Sequence, residues 1–444
     1  MKIVRSNQQT EFGKKFNFKL IHSIADFQRH VPVQEYEDLK PFVDKIIAGE
    51  EGILTEDKTI LLEPTSGSTG ANKYIPYTLA LKKEFQKGFY TWLFDVYLHN
   101  PCLLLGKSFW SITPKEKINQ TSRVKIGFEH DTHYLGKVSQ YVARHVMVTV
   151  PDGLTTEEYL KQAYIALKNE PDLSLISVWS PTFLDCLFNR LDCSPAQQWK
   201  KMHLVSAWGD ANSKQYVSVI KKYFPHVKFQ PKGLLSTECM ISFPLERIKN
   251  RSVLSYQSHF YEFLDKEGNI YLADQLQEGR TYTVIVTTSG GLYRYNTHDD
   301  VRVNGFYHGL PVLEFVGRSN DTGDFFGEKL NESFVSTVCQ QVFKQERITP
   351  VFFVVTFDKT RYALLIEGGN IDYNSLGYKL NQAFQENFHY KNCVQLGQLE
   401  PLRCQPITGG IQQYTEFYLR KGMKLGDIKI KALDTQFYIG GING

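Results

Sequence analysis

Pro64-Thr65-Ser66-Gly67-Ser68-Thr69-Gly70-Ala71-Asn72-Lys73 lies between two extended apolar runs, Thr59 to Glu63 and Tyr74 to Tyr77. Small residues, hydroxyls and glycines let a backbone turn tightly and aim several N–H groups at one anion. Lys73 closes the stretch with a compact positive charge that can reach outer phosphates. The same composition also suits a plain polar hairpin loop. The stretch by itself leaves both readings open. Its spacing departs from the P-loop pattern GxxxxGK[ST], because Gly67 precedes Lys73 by six and Tyr74 follows it. A strand-like run on each side, with a helix only afterwards, also differs from the strand–loop–helix of that class.

At 444 residues, 42% hydrophobic and 14% aromatic, the chain is long and apolar enough for two or three globular domains. A net charge of +4 is spread along it, with no basic block, zinc spacing or stacking-aromatic signature of nucleic-acid binding. Longer apolar stretches such as Phe89 to Leu98 are too short and too polar to span a bilayer. Met1 to Ser6 is followed by polar Asn7 to Thr10 rather than by a secretory apolar run. Seven cysteines without a CxxC pair argue against a disulfide framework and a structural zinc site. The composition therefore predicts a soluble protein of a reducing cytoplasm, with neither nucleic acid nor membrane as partner.

The first sixty residues read as short-linked helices, one placing Pro41 in its first turn and closing at Gly49. Leu79 to His99 reads as a long helix. From there the chain alternates. Strands are expected at Cys102 to Ile112, His145 to Val150, Leu173 to Trp179, His203 to Trp208 and Val227 to Gln230. Helices are expected at Thr155 to Asn169, Pro181 to Leu191 and Ser213 to Phe224. Apolar strands alternating with helices predict a parallel sheet covered by helices, with ligands outside the carboxyl ends of its strands. After about residue 250, short strands recur without long helices, which suits a barrel or a twisted antiparallel sheet. They are expected at Val253 to Phe263, Asn269 to Ala273, Thr281 to Thr288, Tyr293 to Tyr295, Val301 to Val303 and Val312 to Val316. Beyond a polar turn at Gly317 to Asp321 the pattern is α+β: a helix near Leu330 to Phe343, strands Val351 to Phe357 and Tyr362 to Ile366, a helix Ser375 to Phe388, then more strands. This predicts a large part at 1–317 and a small C-terminal domain at 318–444.

Four further stretches could carry chemistry. Ser236-Thr237-Glu238 offers a hydroxyl for a phosphate oxygen and a carboxylate for Mg²⁺, although such a run is also a common helix cap. Tyr293 to Asp300 ends in carboxylates that can accept from ribose hydroxyls or lie on a solvated turn. Gly317-Arg318 places a guanidinium in a turn, for phosphate, for ribose or simply for solvent. Leu425 to Lys431 reads most simply as a charged strand edge. His130-Asp-Thr-His133 lacks a nearby third ligand and reads as a polar turn. Cys239, beside Glu238, has no visible base.

Taken in order, these motifs resemble the acyl-acid amido synthetases of plant hormone metabolism and their bacterial relatives, within the adenylate-forming superfamily. The likeness runs from Thr10-Glu-Phe-Gly13 and Val31-Pro-Val-Gln-Glu-Tyr-Glu-Asp-Leu39 through Thr65 to Gly70, Lys73-Tyr-Ile-Pro76, Ala207-Trp-Gly-Asp210 and Gly233 to Glu238. It continues through Tyr293-Arg-Tyr295 with Asp299, Phe315 to Arg318, Gly327-Glu-Lys-Leu330 and Leu425 to Lys429. The resemblance implies an acyl-CoA synthetase/luciferase-like fold: a large α/β part with a β-barrel subdomain, and a small mobile α+β domain. It implies a two-step ligase in which ATP and Mg²⁺ activate a carboxylic acid as acyl-AMP and an amine, such as an amino acid, then takes the acyl group. Thr65 to Gly70, with Ser66, Gly67, Ser68 and Thr69 between them, would cradle the outer phosphates, assisted by Lys73. Gly233 and Leu234 would line the nucleotide site, Thr237 would contact the α-phosphate and Glu238 would hold Mg²⁺. Asp299 would bind the ribose, Arg318 would reach the nucleotide, and Lys429 would enter from the C-terminal domain, with Lys431 and Lys329 as rivals. Asn72, Leu234 and His298 stand where the superfamily often has proline, tyrosine and glycine. Relatives carry several dozen more residues before Thr10. Transfer to a thiol such as CoA, or a weakened nucleotide- or acid-binding homologue, are the other readings.

Overall fold

The computed structural model describes residues 1–65, 73–110, 124–126, 146–151, 154, 156–188, 194–318, 322–423 and 425–437. The chain divides into two compact units, Met1–Asp210 with Val217–Phe315, and Ala211–Tyr216 with Val316–Gly444.

In the first unit, short helices precede a hairpin, β1 (Leu61–Thr65) and β2 (Lys73–Tyr77), whose register pairs Thr65 with Lys73. One of those helices begins at Tyr36 rather than at Pro41, so Pro41 lies inside it. Asp38 sets the earlier start, its carboxylate accepting from the Glu35 N–H at 2.9 Å. The long helix runs from Leu79 to His99, opened by Thr78, whose hydroxyl accepts from Leu81 N–H. The expected strand from Cys102 begins instead as a 3-10 turn at Pro101–Leu105.

A five-stranded sheet follows, in the order β4-β3-β5-β6-β7, and every adjacent pair is parallel. Its strands are β3 (Lys107–Trp110), β4 (Met147–Val148), β5 (Leu173–Ser177), β6 (Leu204–Ala207) and β7 (Lys228–Pro231). Every residue of β5 and β6 is buried, as helices on both faces require. Helices Thr156–Lys168, Pro181–Phe188 and Val217–Tyr223 alternate with them, the last preceded by a 3-10 turn over Ala211–Tyr216.

The strand-rich stretch is a seven-stranded sheet ordered β11-β10-β12-β13-β14-β9-β8. It comprises β8 (Ser242–Leu245), β9 (Arg251–Leu254), β10 (Phe260–Leu264), β11 (Ile270–Tyr271), β12 (Thr281–Thr287), β13 (Tyr295–Tyr307) and β14 (Leu310–Arg318). Among the described residues no ladder joins β11 to β8. The single run expected from Val253 to Phe263 is two strands, turned by Ser258 N–H donating to Ser255 C=O. Conversely, the two short strands expected between Tyr293 and Val303 are one long strand, β13, interrupted by a bulge.

The second unit holds β15 (Thr322–Gly323) with β16 (Leu330–Asn331), and a three-stranded sheet of β17 (Phe352–Asp358), β18 (Arg361–Glu367) and β19 (Glu400–Pro406). Helices Glu332–Gln345, Tyr373–Phe384 and Phe388–Gln395 cover a core around Leu364, Leu380 and Tyr390. Asn387 splits the helix expected to reach Phe388, because its side chain caps a new one through His389 and Tyr390 N–H. The strands expected near the C-terminus reduce to β19, followed by the helix Gly410–Arg420. Leu425–Asp427 is a 3-10 turn rather than a strand edge, and Ile428 and Ile430 are buried beyond it.

Candidate active site

Three segments of the first unit bring together most of the residues singled out in the sequence. The first is the hairpin. Ser66 to Asn72, the stretch expected to cradle phosphates, lies outside the described residues, but its two ends are pinned as the Thr65–Lys73 cross-strand pair. The Lys73 ammonium sits 5.4 Å from the Tyr36 ring centroid. Tyr36 also accepts a 2.7 Å hydrogen bond from Tyr74 N–H, and burial holds its hydroxyl above its ordinary pKa.

The second segment follows β7. Gly233 takes φ +72°, and a Cβ there would stand 2.7 Å from the Ser242 carbonyl oxygen, so the position requires glycine. The chain then doubles back as a narrow hairpin: Leu235 bridges Met240, and Ile241 and Ser242 N–H both donate to Leu234 C=O. Its tip is Ser236-Thr237-Glu238-Cys239, closed by Ser236 N–H donating to Cys239 C=O at 3.0 Å. The helix-cap alternative for this run is not realised. Tyr77, at the end of β2, donates through its hydroxyl to the Thr237 carbonyl at 2.6 Å. The strand that begins with Lys73 is thereby tied to the hairpin tip.

The third segment is the bulge in β13. Between Thr283 and Ile285 the partner strand advances two residues, while β13 advances four, from Asn296 to Asp300. A bulge of this kind re-aims side chains beside active sites. Thr297 pins it, donating to Val284 C=O and accepting from Asp299 N–H. His298 carries φ +60°. Asp299 lies buried within β13, so the solvated-turn alternative for it is not realised.

Burial, then the charges of Glu238 and Asp299, hold the Cys239 thiol well above its ordinary pKa. Cys239 is thus an inert buried thiol. Burial and the Asp299 carboxylate also raise Asp300, whose Oδ1 accepts from Thr283 Oγ1 at 2.6 Å. Among the described residues, no group of three or more His, Cys, Asp and Glu side chains could hold a metal ion. Buried Glu238 suits an Mg²⁺ that takes most of its oxygen ligands from phosphates and water.

Two networks hold these segments, one from the Val31–Leu39 motif, to which the sequence assigned no role, and one with no signal in the sequence. Gln34 and Glu35 clamp the bulge: Gln34 N–H donates to Arg294 C=O, and Glu35 contacts Asn296 Nδ2 at 2.9 Å and His298 Nε2 at 2.6 Å. Tyr36, the next residue, is the one beneath Lys73, so a single N-terminal segment supports both the loop strand and the bulge. The hairpin is held by His259. Met240 N–H donates to Nε2, so Nδ1–H is the donor to Glu84 Oε2 at 3.1 Å. Glu84 also accepts from Ser289 N–H and Oγ. Tyr293-Arg294 proves structural: Tyr293 stacks on Phe12 at 4.7 Å, and Arg294 forms a buried 2.9 Å ion pair with Glu262.

Arg318 and Lys429 belong to the second unit. Arg318 ends β14, and Lys429 is exposed, its carbonyl accepting from Tyr414 Oη at 3.3 Å. Of its rivals, Lys431 donates through its backbone N–H to the same hydroxyl, and Lys329 is exposed with φ +46°.

Two family models match the chain, the GH3 family N-terminal domain over residues 1–194 and the GH3 family central domain over 252–318. Among curated relatives, the probable indole-3-acetic acid-amido synthetase GH3.1 of Arabidopsis thaliana is 22% identical over 404 residues, 74% of this chain and 67% of its own. The indole-3-acetic acid-amido synthetase GH3.15 of Arabidopsis thaliana is 23% identical over 403 residues, 71% of this chain and 66% of its own. Among solved structures, AtGH3.15 acyl acid amido synthetase in complex with 2,4-DB superposes with a TM-score of 0.83 at 18% identity, over 98% of this chain and 90% of that one. A 2-hydroxyisobutyryl-CoA ligase in the postadenylation state, in complex with 2-HIB-AMP, gives 0.59 at 12% identity, over 91% and 85%. The adenylate-forming fold expected from the motifs is the fold of this chain. No helix among the described residues is long and apolar enough to cross a membrane.

Proposed function

The chain belongs to the GH3 family, and on that premise we propose that it is an ATP-dependent acyl-acid amido synthetase of the cytoplasm. In the first step a carboxylate oxygen of the acid attacks the α-phosphorus of ATP, the bond to the bridging oxygen breaks, and pyrophosphate leaves with its electron pair. In the second, an amine, such as that of an amino acid, attacks the acyl carbon of the acyl-AMP, loses a proton and expels AMP. Both steps need positioning and charge stabilisation more than covalent help.

Ser66 to Gly70 and Lys73 hold the β- and γ-phosphates that become the leaving group. Thr237 steadies the α-phosphate, Gly233 and Leu234 flank the nucleotide, and Asp299 accepts from the ribose hydroxyls. Glu238 ligates Mg²⁺, which supplies charge neutralisation to the phosphates. Arg318 and Lys429 act from the C-terminal domain, which is mobile in this reading, with Lys429 at the adenylation transition state. What carries the reading is the tie between strand and hairpin: Tyr77, four residues beyond Lys73, hydrogen-bonds the Thr237 carbonyl. That tie supports assigning Lys73 and Thr237 to the same phosphate-binding site.

The direct test is carboxylate-dependent exchange of labelled pyrophosphate into ATP, followed by parallel supply of hydroxylamine, amino acids and CoA. Amide formation is expected. Folded protein that supports no exchange with any acid of a broad panel excludes the proposal, and thioester as the sole product replaces the amine by a thiol. Lys73→Ala is expected to slow adenylation about 10²-fold while leaving aminolysis of supplied acyl-AMP within about threefold. Equal loss in both steps contradicts the assignment of Lys73 to the leaving group.

A further inference from the structure

Gln34 and Glu35 lead directly into the helix that begins at Tyr36, and these three consecutive residues reach two different parts of the site. Gln34 bridges Tyr295 of β13: its N–H donates to Arg294 C=O and its C=O accepts from Asn296 N–H, both at 2.9 Å. Glu35 Oε1 accepts from Asn296 Nδ2 at 2.9 Å, and Glu35 Oε2 lies 2.6 Å from His298 Nε2. Both partners of Glu35 belong to the Asn296–Asp300 bulge, which carries Asp299. Tyr36 meets β2 instead. Its hydroxyl accepts from Tyr74 N–H at 2.7 Å, and the Lys73 ammonium lies 5.4 Å from its ring centroid.

The sequence explains how neighbours serve two targets. Leu39, Phe42, Val43 and Ile46 recur at helical spacing and are buried, which fixes the helix against the first unit's core. Asp38 fixes its first turn through Glu35 N–H. Successive side chains at a helix start do not face one another, so positions 35 and 36 diverge.

Tyr36 carries two separable contacts. Tyr74 stands opposite Pro64 in the hairpin register, and its N–H goes to the Tyr36 hydroxyl rather than into the ladder. That bond satisfies a backbone donor and is a structural task. The ring is another matter, because an aromatic face attracts an ammonium through its quadrupole and orients it without a counter-charge. Packing and the Tyr74 bond call for neither a cation over the ring nor the neighbouring carboxylate on the bulge.

We propose that Tyr36 and Glu35 are positioning residues for the two ends of the bound nucleotide. Tyr36 orients Lys73 for the outer phosphates, and Glu35 holds the bulge from which Asp299 meets the ribose. The assignment of Lys73 and Asp299 to those ends rests on the amido synthetase reading. The two contributions separate by ligand: ATP needs both, AMP needs the ribose end, and pyrophosphate needs the phosphate end. A general loss of packing would weaken all three ligands together.

The test is isothermal titration calorimetry of the full chain with ATP, AMP and pyrophosphate, each with Mg²⁺ and without added acid. Tyr36→Leu is expected to weaken ATP and pyrophosphate about fivefold or more and to leave AMP within about twofold. Glu35→Ala is expected to weaken ATP and AMP about threefold and to leave pyrophosphate within about twofold. Tyr36→Phe removes the hydroxyl and keeps the ring, so it should bind ATP within about twofold of the wild type. Trifluorophenylalanine in place of Tyr36 keeps the ring's shape, withdraws charge from its face and should weaken ATP as Tyr36→Leu does. Circular dichroism and thermal melting establish that each variant folds. The fluorinated ring supplies the readout if Tyr36→Leu fails to fold, and Glu35→Gln does so for Glu35→Ala. Parallel losses for all three ligands, a Tyr36→Phe variant as weak as Tyr36→Leu, or wild-type protein that binds no nucleotide overturns the proposal. Pyrophosphate exchange into ATP is measured in parallel. The split without exchange by any acid leaves the positioning roles standing and removes the ligase reading, and exchange without the split does the reverse.

Discussion

His298 shows what a single residue can owe to its place in a strand. Its φ of +60° lies in the left-handed region, where a Cβ costs about 1–2 kcal/mol. A glycine at this position would meet no such cost. Here the side chain takes hold of Glu35, so a strained residue also clamps the bulge that buries Asp299. His298→Gly is therefore expected to be more stable than His298→Ala by about 1 kcal/mol, the reverse of the usual order in a strand, as read by urea denaturation. An alanine variant equal to or above the glycine variant contradicts the strain. The candidate nucleotide residues were legible one by one, because hydroxyls, glycines and carboxylates advertise their chemistry. Their surroundings were not: nothing about the word Asp299 distinguishes a turn carboxylate from one buried by two extra residues in β13.

Among elements, the hairpin at Leu234–Ser242 depends on partners far away in sequence. His259 and Glu84 are separated by 175 residues, yet they hold Met240 to the Leu79–His99 helix. Glu84→Ala strips the acceptor from Ser289 and from His259 and is expected to lower unfolding free energy by about 3 kcal/mol, Glu84→Gln by about 1 kcal/mol. Equal losses in the two variants contradict a hydrogen-bonding role. A second buried carboxylate acts in the other unit. Burial pushes Glu328 up, but hydrogen bonds from Phe325 N–H, Tyr362 Oη and Phe326 N–H outweigh it and leave the carboxyl below its ordinary pKa. A depressed carboxylate contributes stability that is fully present above its unfolded pKa of about 4.5 and lost as pH falls through its folded one. Glu328→Gln should thus cost stability at pH 7 and little at pH 3. A loss independent of pH contradicts the linkage. The strand and helix periods were readable, but where elements merged or split was not. β13 continues through its bulge because Thr297 side-chain hydrogen bonds bridge the break, and Asn387 divides a helix whose apolar spacing runs on unbroken.

At the scale of the molecule, the two units each have their own core, one around Leu204 and Val284, the other around Leu364 and Leu380. Separate cores unfold as separate cooperative units. Calorimetry is expected to resolve two transitions, with Leu204→Ala lowering one and Leu364→Ala the other, each by about 2–5 kcal/mol. A single transition moved by either substitution contradicts this. The sequence by itself determined the family, the alternation of apolar strands and helices, and the residue types that can meet phosphate, ribose and metal. Those properties are local: period, side-chain chemistry and order along the chain. Only the tertiary structure decided that Cys239 is buried, and that Lys232 is caught among tryptophans drawn from two strand ends and a helix. Such neighbours are set by sheet register and long-range packing, and residues more than a hundred positions apart leave no mark on each other's local pattern. Lys73 packs on Tyr36, and the strand it begins is tied through Tyr77 to Thr237, 160 residues further along the chain.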